Sequence, residues 1–271
     1  MRNLLSADLM RLKKPWFLYA AGVTALVVLV NQYWDKARFG RNCPMDETLM
    51  LGFMLAGFLL CIFCGLFAGS EYESGGIRHQ IIAGHTRPAI YLSHLITALG
   101  VGAAAAAAYM ILGGGLGALL LDPGKKNAGQ IVTETLCGLL SVAACASLFH
   151  MIAMTTENRA KALLLCVLVF LSMFFLATFI EGRLEEPEMV SGYMMTVNGV
   201  RQSDPEPNPR YLQPGPRQFC EFLMALLPMG TQLQLTIGNF YQTGLSLLCS
   251  LFVTGVATGI GLMLFRKKDV K

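Results

Sequence analysis

Charge is what this 271-residue sequence has least of: Asp, Glu, Lys and Arg make up 14%, where an ordinary soluble domain carries about 25%. That shortage excludes a chain whose whole surface faces water. Histidine occurs four times, and there is no His-Glu-x-x-His. His79, His85 and His94 share one segment that lacks the spaced carboxylates or cysteines of a metal site. The Gly-x-x-x-x-Gly-Lys-[Ser/Thr] phosphate loop is also missing. Gly124-Lys125-Lys126 lacks its spacing, so the chain has no cradle of that kind for ATP. Glu185-Glu186 looks like the start of an intramembrane protease motif but lies in a polar loop. The eight cysteines form no disulfide framework. Cys61, Cys64, Cys137, Cys145, Cys166 and Cys249 sit in apolar runs, where Cys acts as a small hydrophobe. Cys61-x-x-Cys64 therefore reads as packing, while Cys43 and Cys220 remain open to pairing.

What is present in quantity is apolar: hydrophobic residues are 54% of the sequence. Continuous runs of about 20 such residues match a hydrocarbon core of about 30 Å. Inside lipid only helices and closed barrels satisfy the backbone, and these runs do not alternate. The expected fold is all-α and integral to a membrane, with six spans at Trp16–Trp34, Leu49–Ala68, Leu95–Leu121, Ile131–Met154, Ala162–Ile180 and Thr243–Phe265. The first is not read as a cleaved leader, because Trp34-Asp35-Lys36 follows it instead of small residues.

The cations set the orientation. With the N-terminus inside, the inner segments hold Arg2, Arg11, Lys13, Lys14, Arg78, Arg87, Arg159, Lys161, Arg266, Lys267, Lys268 and Lys271. That is 12 cations against the five acids Asp8, Glu71, Glu73, Glu157 and Asp269, a balance of +7. The other segments hold nine cations and 12 acids, a balance of −3. Both termini are then cytoplasmic, and the overall +4 reads as topology, not as a nucleic-acid footprint. Few ionisable groups remain for a proton or sodium relay. Glu134 reads as an outer-interface residue, and His150 as a helix-to-helix hydrogen bond.

The single transmembrane domain, 1–271, divides accordingly. Residues 1–15, with Leu5, Leu9, Leu12 and Trp16 at helical spacing, form an amphipathic inner-surface helix or the start of the first span. Spans one to five fill 16–180. Residues 181–242 form an outer segment, with a β-hairpin around Asn198-Gly199 and a short helix, Phe219–Leu227, stopped by Pro228 and Gly230 and dipping into the outer leaflet. The last span, 243–265, precedes a basic tail, 266–271. Small-xxx-small pairs at Gly65/Gly69 and Gly255/Gly259 indicate close helix packing.

The inner loop between spans two and three carries the most information. Gly76 to Ala83 reads as a short helix, with Gly84 as its stop and Pro88 blocking continuation. Ile77 and Ile81 share a face, with Ile82 beside it. A groove on a partner would bury them, and so would the membrane surface.

An acidic pair, Glu71 and Glu73, then Gly-Gly-Ile-Arg, a short helix and Gly-His-Thr-Arg-Pro resembles the permeases of type-2 ABC exporters, most of all small bacterial peptide, lantibiotic or drug exporters. The resemblance implies a coupling helix that docks on an ATPase subunit, with Gly76, Ile77, Arg78, His79, Ile81 and Ile82 at the contact. It implies that Glu71 and Glu73 pair with basic residues and transmit movement at the membrane edge. Arg11, Lys13 or Lys14 would supply such a brace from within the chain; the alternative is that both acids only solvate that edge. Two permease chains, identical or not, would form the path in a bacterial cytoplasmic membrane. Two ATPases would supply ATP and Mg, and this chain would hold no cofactor and perform no catalysis. The alternatives are a membrane immunity protein that sequesters a toxin without transport, and an intramembrane enzyme. Single cysteines at Lys125 or within 185–204, on a cysteine-free background, should label from outside intact cells, and those at Arg78 or Lys267 should not. Outside labelling at Arg78 would overturn the orientation.

Overall fold

The computed structural model describes residues 2–12, 16–39, 45–121, 124, 126–191, 193–196, 199–202, 205–239 and 242–268. In chain order the elements are α1 (Arg2–Leu12), α2 (Trp16–Phe39), α3 (Met45–Glu73), α4 (Gly76–Ile82), α5 (Arg87–Leu120), α6 (Ala128–Thr155) and α7 (Arg159–Leu184). Then come β1 (Met189–Val190), β2 (Tyr193–Thr196), β3 (Gly199–Gln202), β4 (Glu206–Pro207), α8 (Pro214–Leu226), α9 (Pro228–Ile237) and α10 (Thr243–Lys267). Among the described residues five helices, α3, α5, α6, α7 and α10, are long and apolar enough to cross a membrane. The first expected span falls on α2, where the side chains of residues 16–22 lie outside the described residues.

The bundle is built around α3 and α6. α3 packs against α5, α6, α7 and α9, and α6 also carries α10, while α1 and α2 both lie on α5. Phe53, Leu60, Tyr91, Phe149 and Phe265 fill the space between them without exposure. The outward faces stay apolar: Leu164, Leu168, Phe175 and Phe179 on α7, and Leu248, Phe252, Val256, Ile260 and Met263 on α10. Lipid tails are as apolar as these side chains, so leaving them out of the core costs little in a bilayer.

Two helices overrun the spans expected for them, and this creates the site. α5 has 34 residues, about 50 Å at 1.5 Å per residue, against a hydrocarbon core of about 30 Å. It begins at Arg87, eight residues ahead of Leu95, and α3 continues from Ala68 to Glu73. Their extensions rise side by side, and α4 joins them.

At the opposite end of the bundle, β2 and β3 pair antiparallel with Thr196 opposite Gly199. Gly199 therefore belongs to a strand, and the connection is residues 197–198, which lie outside the described residues, instead of the expected Asn198-Gly199. The second pair, β1 with β4, was not expected. Pro228 stops α8 at Leu226, as expected, and also occupies the first turn of α9, where a missing N–H costs nothing. The element expected as one dipping helix is thus a helical hairpin, α8 and α9. The second arm is buried from Pro228 to Leu235 and ends at Gly238 in the left-handed region, φ 82°. The Cys43–Cys220 pairing falls on Cys43, outside the described residues.

The two small-residue pairs prove different. A Cβ on Gly65 would stand 2.7 Å from the Leu163 Cα, and one on Gly69 2.5 Å from the Arg159 Cα. These glycines let α3 touch the α7 backbone. A Cβ on Gly255 or Gly259 would meet no described atom within 4 Å beyond its own stretch of helix backbone. Gly69→Val should therefore destabilise the detergent-solubilised protein by roughly 1–3 kcal/mol through overpacking, seen as a lowered midpoint in a thermal aggregation assay. Gly259→Ala should leave the midpoint of the monomer unchanged.

Candidate functional site

Two glycines in the left-handed region frame α4. Gly75, φ 68°, precedes it and Gly84, φ 86°, follows it. The helix closes with His85 N–H donating to the Gln80 carbonyl and Gly84 N–H to that of Ile81, the paired closure that left-handed glycine permits. Thr86 and Pro88 then open α5. Gly76 packs directly against Glu71: a Cβ there would displace the Glu71 carboxylate. The Gly75-Gly76 pair is thus a shaped corner.

Of the expected docking residues, Ile77 is 1% exposed, Gly76 is buried and Ile81 is half-buried, all against the chain's own bundle. The expectation that Ile77 and Ile81 offer an apolar face to a partner is corrected here. That face already has an occupant, the α3 and α5 extensions. Facing away from the bundle are Arg78, His79 and Ile82, the last 73% exposed. Glu71 is buried while Glu73 is exposed. Their expected cationic partners, Lys13, Lys14 and the side chain of Arg11, lie outside the described residues.

The anchor of α1 that the structure does describe is an acid. Asp8 is fully buried, accepts a hydrogen bond from Ser93 Oγ at 2.5 Å and lies 3.5 Å from His94 Nε2. Phe67 meets the His94 ring edge-on, with centroids 5.4 Å apart. His150 Nε2 lies 3.1 Å from the Tyr91 carbonyl. A carbonyl only accepts, so that nitrogen carries the proton, and α6 is bonded to α5 as expected. The Asp8, Ser93 and His94 grouping is not a nucleophilic triad, because the serine donates to the aspartate instead of the histidine and all three are buried. Among the described residues no three His, Cys, Asp or Glu side chains are placed to hold a metal ion.

A second set of contacts, which the sequence did not reveal, joins the two segments flanking α4 to the end of α10. Tyr72, in the last turn of α3, donates its hydroxyl to the Met154 carbonyl at 2.6 Å. Lys268 Nζ donates to the carbonyls of Thr155 at 3.0 Å and Met154 at 3.4 Å and to the Tyr72 oxygen at 3.3 Å. It also lies 4.3 Å above the Tyr72 ring and 3.9 Å from Glu157. Burial pulls the Lys268 ammonium below its ordinary pKa, and the Glu157 carboxylate opposes this. On the other flank Arg87 Nη1 faces the carbonyls of Phe265 and Arg266, at 3.4 and 3.3 Å, and that of Lys268.

The geometry is that of a multi-helix membrane protein with a short helix set between two helix extensions. The chain belongs to the ABC-2 type transporter family, whose model matches residues 10–187, from the end of α1 through α7. No curated protein matches it in sequence. It is a permease subunit of an ABC transporter, and permeases of this family are generally non-catalytic and typically work with an ABC ATPase.

Asp8→Asn should loosen α1 from α5 by about 1–3 kcal/mol, the cost of weakening a buried charged hydrogen bond. Limited trypsin digestion of inside-out vesicles should then cut at Arg2 and Arg11 faster than in the unaltered protein. An unchanged cleavage rate would mean that Asp8 does not hold α1.

Proposed function

We propose that this chain is the membrane half of an ATP-driven exporter, docked through α4 onto an ATPase carried on a separate polypeptide. The observation that supports this is the outward face of α4. Arg78, His79 and Ile82 form the outward face of a helix whose other face is packed on the bundle and whose two ends turn at left-handed glycines. A cation, an imidazole and an uncovered isoleucine on adjacent turns suit a groove with an apolar floor and an acidic rim. Ile77 and Ile81 serve as the base, and Glu71, against Gly76, fixes the angle at which the helix leaves α3.

In this reading the protein crosses a bacterial cytoplasmic membrane six times, α2 included, with α1, α4 and the end of α10 on the cytoplasmic side and the α8–α9 hairpin outside. Two permease chains and two ATPases form the complex, with ATP and Mg bound by the ATPases. The spans offer an apolar path, which suits amphipathic or hydrophobic cargo, peptide above all. A protein that merely sequesters a toxin would need no ATPase, so co-purification separates the two readings.

The test is co-expression with the ATPase and affinity capture of the permease. Ile82→Asp and Arg78→Glu should abolish ATPase recovery while permease yield is kept, because a carboxylate forced into a docking groove costs several kcal/mol. Ile77→Asp should instead lower the yield of permease, since its target is the chain's own core. Full ATPase recovery with Ile82→Asp would remove α4 from the docking role.

A further inference from the structure

The segments that lead into and out of α4 attach to one place. On the α3 side, Tyr72 is bonded to the end of α6 and capped by Lys268. On the α5 side, Arg87 faces the last carbonyls of α10, Lys268 among them. These carbonyls are the groups that a helix leaves without partners in its own final turn, and they carry its negative dipole end. Two cations supply the missing donors, and each crosses to a different helix to do so. Lys268 spans the end of α6, and Arg87 spans the end of α10, so α4 hangs between two ties that meet at residues 265–268.

A cation capping its own helix would give stability and nothing more. Here the capping groups come from other elements: Arg87 is 178 residues from Phe265, and Lys268 is 113 residues from Thr155. The arrangement therefore constrains relative position. If α4 shifts against the bundle, the start of α5 and the end of α3 shift with it, and both pull on the inner end of α10. Among the described residues α10 otherwise packs chiefly on α6, which is tied at the same point through Met154 and Thr155.

Resting on the reading of α4 as the ATPase-docking helix, we infer that Lys268 is a positioning residue for energy coupling, and that with Tyr72 and Arg87 it transmits displacement of α4 to the last span. The chain needs no contact between the ATPase and α10 for this.

The test uses the permease–ATPase complex in nanodiscs, with Cys43 and Cys220 replaced by serine and a single cysteine at Gln242, the exposed residue preceding α10 at its far end. The six remaining cysteines are buried, and buried thiols are inert. Maleimide labelling at 242 is measured without nucleotide and after trapping with ATP and vanadate. Trapping should change the rate in the otherwise unaltered complex. Lys268→Met, and separately the milder Tyr72→Phe, should shrink that change by about fivefold or more, the lower range of an allosteric coupling, with ATPase still bound and hydrolysing. Lys268→Arg, which keeps a donor and its charge, should restore it. A full change in Lys268→Met and Tyr72→Phe complexes that retain ATPase would overturn the latch and leave the docking role of α4 intact. An identical rate with and without trapped nucleotide in the unaltered complex would also overturn it, since α10 would not be following α4. Failure of the unaltered permease to retain ATPase would overturn the docking role, and the latch with it.

Discussion

A helix that ends at the edge of a bilayer leaves its last four carbonyls without intrahelical donors, and lipid offers none. At the α4 end of this bundle α6 and α10 end close together, and their carbonyls are met by side chains from elsewhere in the chain. Thr155 and Thr156 return their hydroxyls to Met151 and Ile152. Tyr72, Lys268 and Arg87 supply the rest. The course of the chain at this end follows from that requirement. α3 has to run far enough to bring Tyr72 to Met154, and α5 has to begin early enough to bring Arg87 to α10. The excess length of both helices is thus explained by the bonds at their tips, and α4 occupies the gap that those lengths define.

Burial of Asp8 follows similar reasoning at a different depth. A carboxylate is rarely buried without partners, and here Ser93 donates to it with the His94 ring alongside. The same turn of α5 thus receives α1 on one face, and through Tyr91 it meets His150 on another. The extension of α5 is therefore tied to α1, α6 and α10 together. Movement of any one of them alone would break a buried or charge-assisted bond.

Much of the helical framework was legible because lipid enforces a simple rule, that long apolar runs become helices. α4 was legible for another local reason: Gly84 and Pro88 terminate and restart helices by backbone sterics alone. Which way α4 faces was not. Ile77 and Ile81 at a spacing of four define a common side, but the same pattern serves a helix lying on its own protein and one offered to a partner. In the sequence Asp8 and Lys268 look like ordinary edge charges, because their partners are 85 and 113 residues away and local sequence holds no trace of such pairings. Pro228 shows a different ambiguity. The residue that cannot continue a helix is also the one best suited to begin it, and here it ends α8 and opens α9.

Charge-assisted bonds stand at both ends of the bundle, Lys126 meeting Glu134 at 2.8 Å at the end away from α4, but α9 is held differently. At the α4 end the contacts are directional and charge-assisted, and they give way together. At the far end α9 is held by close apolar packing, with Gly57 admitting the Gln232 side chain. Yet Thr231 Oγ1, Gln232 Oε1 and Gln234 Nε2 are buried there without a hydrogen-bond partner among the described residues. Each such atom raises the free energy of the closed arrangement by roughly 1–3 kcal/mol. Water or a polar cargo group reaching α9 would remove that penalty, while nothing comparable is gained by parting Lys268 from α6. In the reading of α4 as the docking helix, a displacement entering there would meet the bonded end first, and α9 is where buried amides stand to gain partners.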